Sequence, residues 1–223
     1  MITKTENPSQ DIKIDIGCGG NKKEGCLGID IMALPGVDYA LDLVKQPLPF
    51  ADQSVSYVFS AHFLEHIKEP NLIFPEITRV AKNGAQLEFW TPYAFTNAAF
   101  ITGHVSQLNE DQYMHICVWF PEFWEKVLKA RWLLKEIQYV VDAQTLIDLY
   151  ENKINLDYAL KYYKEVIKEF GVYIEIQRDY QGTLIQPRKT FSLERNSTKY
   201  NVKLNNTSPA ATLEKAIAAF SAA

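Results

Sequence analysis

Two clusters in the first third of the chain combine residue types and spacings that chemistry could use. In the first, Gly17, Gly19 and Gly20 follow Ile12-Lys13-Ile14-Asp15-Ile16, and Asp30 stands eleven positions beyond Gly19. Glycine admits left-handed backbone and lets the main chain approach a ligand closely. A carboxylate at the carboxyl end of the next strand can accept hydrogen bonds from ribose hydroxyls. Together they suit a ligand that carries a nucleoside. In the second cluster, His62-Phe63-Leu64-Glu65-His66 has the spacing H-x-x-E-H, which on a helix would set two histidines on one face around zinc. So short a pattern arises readily by chance, and it directly follows a buried strand, so no metal is expected from it.

The elements that must hold these residues can be read around them. Ile12, Ile14 and Ile16 alternate with Lys13 and Asp15, which predicts a β-strand opening into the glycine turn. Leu27, Ile29 and Ile31 predict a second strand with Asp30 near its end. A third is expected over 39–44 after the Pro35-Gly36 turn, and a buried fourth over 55–60. A helix is expected within 69–82, where Pro75 requires it to begin nearby or kink. The fifth strand is expected over 85–90.

The spacing separates two kinds of nucleoside ligand. A dinucleotide-binding turn runs into a helix whose N-terminus holds a pyrophosphate, with the acid about 20 residues further on. Here the acid follows after eleven residues, and 21–26 is too short and polar for a crossover helix. A ligand with ribose but without phosphate fits better, and a nicotinamide oxidoreductase is disfavoured.

Five ordered motifs extend this reading: I-D-I-G-C-G-G at 14–20, G-I-D-I at 28–31, L-D-L at 41–43, P-L-P-F-A-D-Q-S-V at 47–55 and S-A-H-F-L-E-H-I at 60–67. With E-I-T-R-V-A-K-N-G-A at 76–85, the segment from Ile12 to about Pro92 resembles the cofactor half of class I S-adenosylmethionine-dependent methyltransferases, in their small-molecule and saccharide group. The departure is the short loop 21–25, where most members carry a helix. The resemblance implies a three-layer, Rossmann-like α/β fold with a mostly parallel seven-stranded sheet and an antiparallel last strand. It implies S-adenosylmethionine as the cofactor, with backbone groups of Gly17, Cys18 and Gly19 at its amino-acid end and Asp30 and Ile31 at the ribose. Asp42 and Leu43 would meet the adenine, and Ser60 and His62 the sulfonium and the acceptor. Asp15 either holds the cofactor's ammonium group or is a polar strand residue.

If the acceptor is a hydroxyl, a general base helps by taking its proton, and histidine has a suitable ordinary pKa. His62, His104 and His115 are the candidates, in that order. An aromatic-rich segment at about 93–132 is the expected acceptor-binding insertion, with Tyr93, Phe95, His104, His115 and Trp119 as candidate acceptor contacts. Helices are expected over 121–130 and within 143–170, and 133–141 reads equally as strand or helix. Strands over 172–177 and 190–193 would form an antiparallel final pair. The methyltransferase domain is expected over 1–204, beginning with a loose arm over 1–11. The tail at 205–223 should form a helix capped by Ser208, with Pro209 at its first position and Leu213, Ala216, Ile217 and Phe220 on one face. That face would dock on its own domain or on a neighbouring subunit.

Bulk properties agree. A chain of 223 residues with 47% hydrophobic content can bury one α/β core, and a net charge of −4 disfavours a nucleic-acid surface. Cys18, Cys26 and Cys117 form no C-x-x-C pair, so neither a disulfide framework nor a zinc knuckle is indicated. With no apolar run of about 18 residues, a soluble cytoplasmic protein is expected, without a membrane partner. Methyl transfer to a small molecule, by O-methylation of a sugar or natural product, leads this reading. N-methylation and a catalytically inactive regulatory subunit of the same fold are the alternatives.

Overall fold

The computed structural model describes residues 11–195 and 210–221. Residues 1–10 of the expected arm and the expected helix start at Ser208 and Pro209 lie outside these residues, as does the side chain of Phe220. Five strands build the cofactor half: β1 (Ile12–Ile16), β2 (Leu27–Asp30), β3 (Tyr39–Ala40), β4 (Val55–Ala61) and β5 (Ala81–Pro92). Helix α1 (Phe74–Val80) precedes β5 and carries Pro75 in its first turn, where a missing amide costs nothing. The second half holds α2 (Glu110–Met114), α3 (Pro121–Leu128), β6 (Arg131–Val140), α4 (Ala143–Glu151), α5 (Leu156–Tyr162), β7 (Glu169–Gln177), β8 (Arg188–Ser192) and α6 (Ala210–Ser221).

The strands form one sheet in the order β3-β2-β1-β4-β5-β7-β6-β8. The pairs around β1 and β4 are parallel, and β7 runs antiparallel to β5 and to β6. Two expectations change. The described sheet has eight strands, where seven were expected, because the ambiguous stretch at 133–141 folds as strand β6, and 188–192 forms the edge parallel to it. The segments at 172–177 and 190–193 do not pair with each other, since β6 lies between them. The ambiguous stretch 133–141 supplies most of that intervening strand. Its inward positions, Trp132, Leu134, Ile137 and Tyr139, are all buried, and strand alternation across a bulge at Lys135 accounts for their spacing.

One face of the sheet carries the main core. Ile14, Ile16, Val58, Leu87, Phe89, Val172 and Ile174 join Ile77 and Val80 of α1, Leu146 of α4 and Leu213 and Ala216 of α6 in one cluster. Helix α6 thus spends its apolar face on its own domain. The opposite face carries a separate, smaller cluster of Phe59, Trp90 and Val140, bordered by Tyr57, Ala61 and Tyr173, with no helical residue in it. Neither the β1–β2 nor the β2–β3 connection contains a helix. Gly171 makes room for the Trp90 ring, which a Cβ there would strike at 2.5 Å. The Trp90 indole donates to Glu88 at 2.8 Å.

Candidate active site

The carboxyl ends of β1 and β4 border a cleft of about 410 Å³, lined by Asp15, Gly17, Cys18, Asn21, Lys22, Lys23, Phe59, Ala61, His62 and Arg195. This lies within the usual range for small-molecule sites, about 300–1,000 Å³. Such a cleft forms where parallel strands end and their loops diverge, which is where open α/β sheets bind ligands.

Its floor is the glycine turn. Gly17 has φ +69°, and a Cβ at this position would lie 2.3 Å from the Phe63 side chain, so both backbone and neighbour demand glycine. The amides of Gly17 and Cys18 donate to the Ile29 carbonyl at 2.8 and 3.2 Å, tying the turn to β2. Beside it, the Asp30 carboxylate accepts from the Gly19 amide at 2.9 Å through one oxygen and from the Met32 amide at 2.9 Å through the other. An ionised carboxylate offers about four acceptor positions, so two remain for hydroxyl donors. The short loop that replaces a helix is fixed by Asp38, which accepts from the Gly28 amide at 2.7 Å and from Lys22 Nζ at 2.6 Å.

Asp15 is 2% exposed and accepts from the Lys23 amide at 2.7 Å. Burial pushes its carboxyl pKa up to about 6, partly opposed by that amide and by the Lys23 charge. The Lys23 ammonium reaches across to Glu88 at 3.0 Å and sits 4.0 Å from the centre of the Phe59 ring. The Phe59 face is thus turned into the cleft and already attracts a cation.

The other end of the cleft is ionic. His62 adopts a left-handed φ of +55°, and its amide donates to the Trp90 carbonyl at 2.9 Å. Its Nδ1 lies 3.2 Å from Glu65 and its Nε2 2.9 Å from Glu169. Arg195 donates to both oxygens of Glu169, and its Nη2 lies 2.6 Å from His62 Nε2. Hydrogen bonds to Glu169 and then to Glu65 raise the His62 pKa to about 9, against the opposing effect of burial. The two carboxylates favour the protonated imidazole in this arrangement, which opposes the general-base role expected of it. Burial alone would push Glu169 up, but His62 and Arg195 hold its carboxyl below the usual range.

The structure brings together Asp15, Gly17, Cys18 and His62 along the cleft, with Gly19 and Asp30 next to the turn. Ile31 is 67% exposed beside Asp30, an apolar surface that a base could cover. Leu43 is buried in the main core, while Asp42 caps its own turn by accepting from the Val44 amide at 3.0 Å and pairing with Lys45 at 2.8 Å. Ser60 is displaced: it is fully buried, its hydroxyl has no partner, and strand alternation turns Phe59 and Ala61 to the cleft in its place.

The aromatic candidates do not converge on the cleft. Tyr93 is 4% exposed and packs edge-on against Phe95, Tyr139 and Phe170. Phe95 and Trp119 are exposed but do not line the cleft. His115 accepts from the Trp124 indole at 3.0 Å and contacts Phe120, leaving its ring engaged there. His104 stacks edge-on with His66 at 4.7 Å. Sequence reasoning missed Lys23, Phe59, Glu169 and Arg195. Alternation in β4 could have found Phe59, but nothing local marks the other three.

These donors fit S-adenosylmethionine. A side chain at Gly19 would meet nothing within 4 Å, so open space adjoins the Asp30 carboxylate, and the cleft offers a carboxylate for an ammonium group and an aromatic face for a sulfonium. The comparisons with known proteins agree. Residues 14–89 match the family described as "Methyltransferase domain". The chain is similar in structure to a SAM-dependent methyltransferase from Archaeoglobus fulgidus, with 13% identity over 75% of this chain and 87% of that one and a TM-score of 0.52. It is also similar to the YcgJ protein from Bacillus subtilis, with 11% identity over 77% and 93% of the two chains and a TM-score of 0.50. At these identities the likeness shows the fold. No curated protein matches the sequence. The described helices include none long and apolar enough to cross a membrane. The matched segment, the shared fold and the cleft support S-adenosylmethionine-dependent methyl transfer by this chain.

Proposed function

We propose that this enzyme methylates a small-molecule acceptor, with an oxygen of a sugar or natural product ahead of a nitrogen. The observation that carries the reading is the ionic end of the cleft, where His62, Glu169 and Arg195 surround the approach to Phe59 and Ala61. Donors and acceptors packed this closely suit a hydroxyl-rich molecule. A net charge of −4 gives no support to a polyanionic acceptor.

Bound S-adenosylmethionine supplies a methyl group made electrophilic by its sulfonium. The protein's task is then largely placement. The Gly17–Gly19 backbone and Asp15 hold the amino-acid end, Asp30 holds the ribose hydroxyls, and Ile31 offers apolar surface toward the base. Phe59 presents its ring to positive charge. His62 and Arg195 donate to the acceptor and Glu169 accepts from it, which orients the attacking atom in line with the methyl. A cytoplasmic setting belongs to the same reading, supported by the free thiols of Cys18, Cys26 and Cys117.

Two measurements test this. Calorimetry should give one S-adenosylmethionine bound per chain, and no heat with up to millimolar ligand would overturn the cofactor assignment. Transfer of labelled methyl should then be screened across sugars, polyhydroxylated natural products, amines and proteins. Transfer confined to protein or nucleic acid would sink the small-molecule reading, and transfer to amines alone would move it to nitrogen.

A further inference from the structure

We propose that Glu65, His66 and His104 form a binding site for a divalent transition-metal ion beside the ionic end of the cleft. One ligand-capable atom of each residue lies within 4.8 Å of those of the other two. Two atoms in the cluster lack what burial requires. Glu65 is 1% exposed and its Oε2 has no hydrogen-bond partner, and Nδ1 of His104 is likewise buried and unpartnered. Burying unpaired polar groups is costly, most of all for a charged one. A cation shared between them satisfies both.

The third residue is prepared for the same role. His66 Nδ1 lies 2.9 Å from the Gly103 carbonyl. An imidazole that donates through one nitrogen to a backbone carbonyl presents the lone pair of the other, the usual arrangement of a metal-bound histidine. The backbone fastens the two ligand segments together. The amides of Val105 and Ser106 both donate to the Glu65 carbonyl, at 2.8 and 3.1 Å, and the Ser106 hydroxyl donates to the Ile67 carbonyl at 2.7 Å. Binding would draw the ligand atoms from within 4.8 Å of one another to about 3–3.5 Å, as metal–ligand distances of about 2.0–2.2 Å require.

Two imidazoles and one carboxylate favour zinc or ferrous iron over calcium or magnesium, which prefer all-oxygen sites. The three ligands leave coordination positions for solvent or another ligand. The H-x-x-E-H spacing pairs His62 with His66, but the chain does not use that pair: the left-handed backbone at His62 turns its ring to Glu169, and His104 supplies the second imidazole. Glu65 joins the two sites, because its other oxygen faces His62 at 3.2 Å. The proposal does not depend on which acceptor the enzyme methylates.

Chelator-treated protein, dialysed against zinc alone and analysed for bound metal, tests the site. The expected result is one zinc per chain, with affinity reduced roughly a hundredfold or more in both His66→Ala and His104→Ala and nearly unchanged in His62→Ala. His66 is exposed, so loss of its imidazole should leave the fold intact, which circular dichroism checks. Cobalt substitution should give the visible absorption of imidazole-bound cobalt and lose it in the same two variants. Absence of stoichiometric zinc in the parent protein would overturn the proposal, leaving a water between Glu65 and His104. Zinc binding that falls in His62→Ala and persists in His104→Ala would overturn it as well.

Discussion

The two ends of the cleft are built in opposite ways. At the ribose end the polar contacts run between neighbours in sequence: Asp30 grips the amides of Gly19 and Met32, and Asp15 grips that of Lys23. At the methyl end they run between side chains from remote parts of the chain, with Glu169 and Arg195 standing 107 and 133 positions from the His62 they meet. Backbone donors are fixed by the fold and serve any ligand of the right outline. Side-chain donors can be exchanged without disturbing the sheet. A common cofactor and a variable acceptor call for this division of labour, and it predicts that the two ends fail differently when changed.

The largest effect is expected at the turn. Gly17→Ala combines a left-handed backbone with a Cβ placed 2.3 Å from Phe63. Strain and overpacking of about 1–3 kcal/mol each should lower the melting temperature by roughly 5–15 °C and abolish cofactor binding. A variant that melts and binds like the parent would remove the turn from the account. Next, Asp30→Ala removes an acceptor from two amides and from the ribose. Charged hydrogen bonds contribute about 1.5–3 kcal/mol each, so the calorimetric Kd for S-adenosylmethionine should rise roughly 10- to 100-fold, while kcat at saturating cofactor changes little.

The methyl end should show the reverse pattern. Glu169→Gln releases both His62 and Arg195, and kcat should fall about tenfold with the cofactor Kd within about twofold of the parent value. Equal losses in both quantities would erase the distinction between the ends. The smallest effect concerns pH. The Asp15 pKa is about 6 in the folded protein, against an ordinary value of 3.8. The folded state thus holds this proton more tightly than the unfolded one, and the resulting stabilisation is full below about 3.8 and lost as pH rises through about 6. An ammonium ligand needs the ionised carboxylate, so cofactor affinity should weaken severalfold between pH 7 and pH 5.5. Asp15→Asn should flatten that dependence and raise stability at pH 8; an unchanged profile would make Asp15 a structural strand residue.

The same contrast explains what could be read in advance. Alternation and glycine placement marked β1, β2, β4 and the turn because those signals are local. The motif order pointed to Ser60, while the two-residue period of a strand turns Phe59 and Ala61 to the cleft and buries Ser60. Edge strand β8 was expected to pair with β7, since both flank a turn-rich segment, but pairing partners are chosen by the apolar face that β6 completes. Glu169 and Arg195 had no local signature, because contacts to His62 closed over a hundred residues leave none. The aromatic crowding after Pro92 looked like acceptor contacts, yet Tyr93 went to the core and His115 to Trp124.

The most direct measurement is a structure of the complex with S-adenosylhomocysteine, the product that lacks the transferred methyl. The account predicts both ribose hydroxyls on the Asp30 carboxylate, the amino-acid end over Gly17–Gly19 beside Asp15, and the sulfur facing Phe59 and His62. A ribose bound away from Asp30, or a sulfur that does not open toward His62, Glu169 and Arg195, would contradict it.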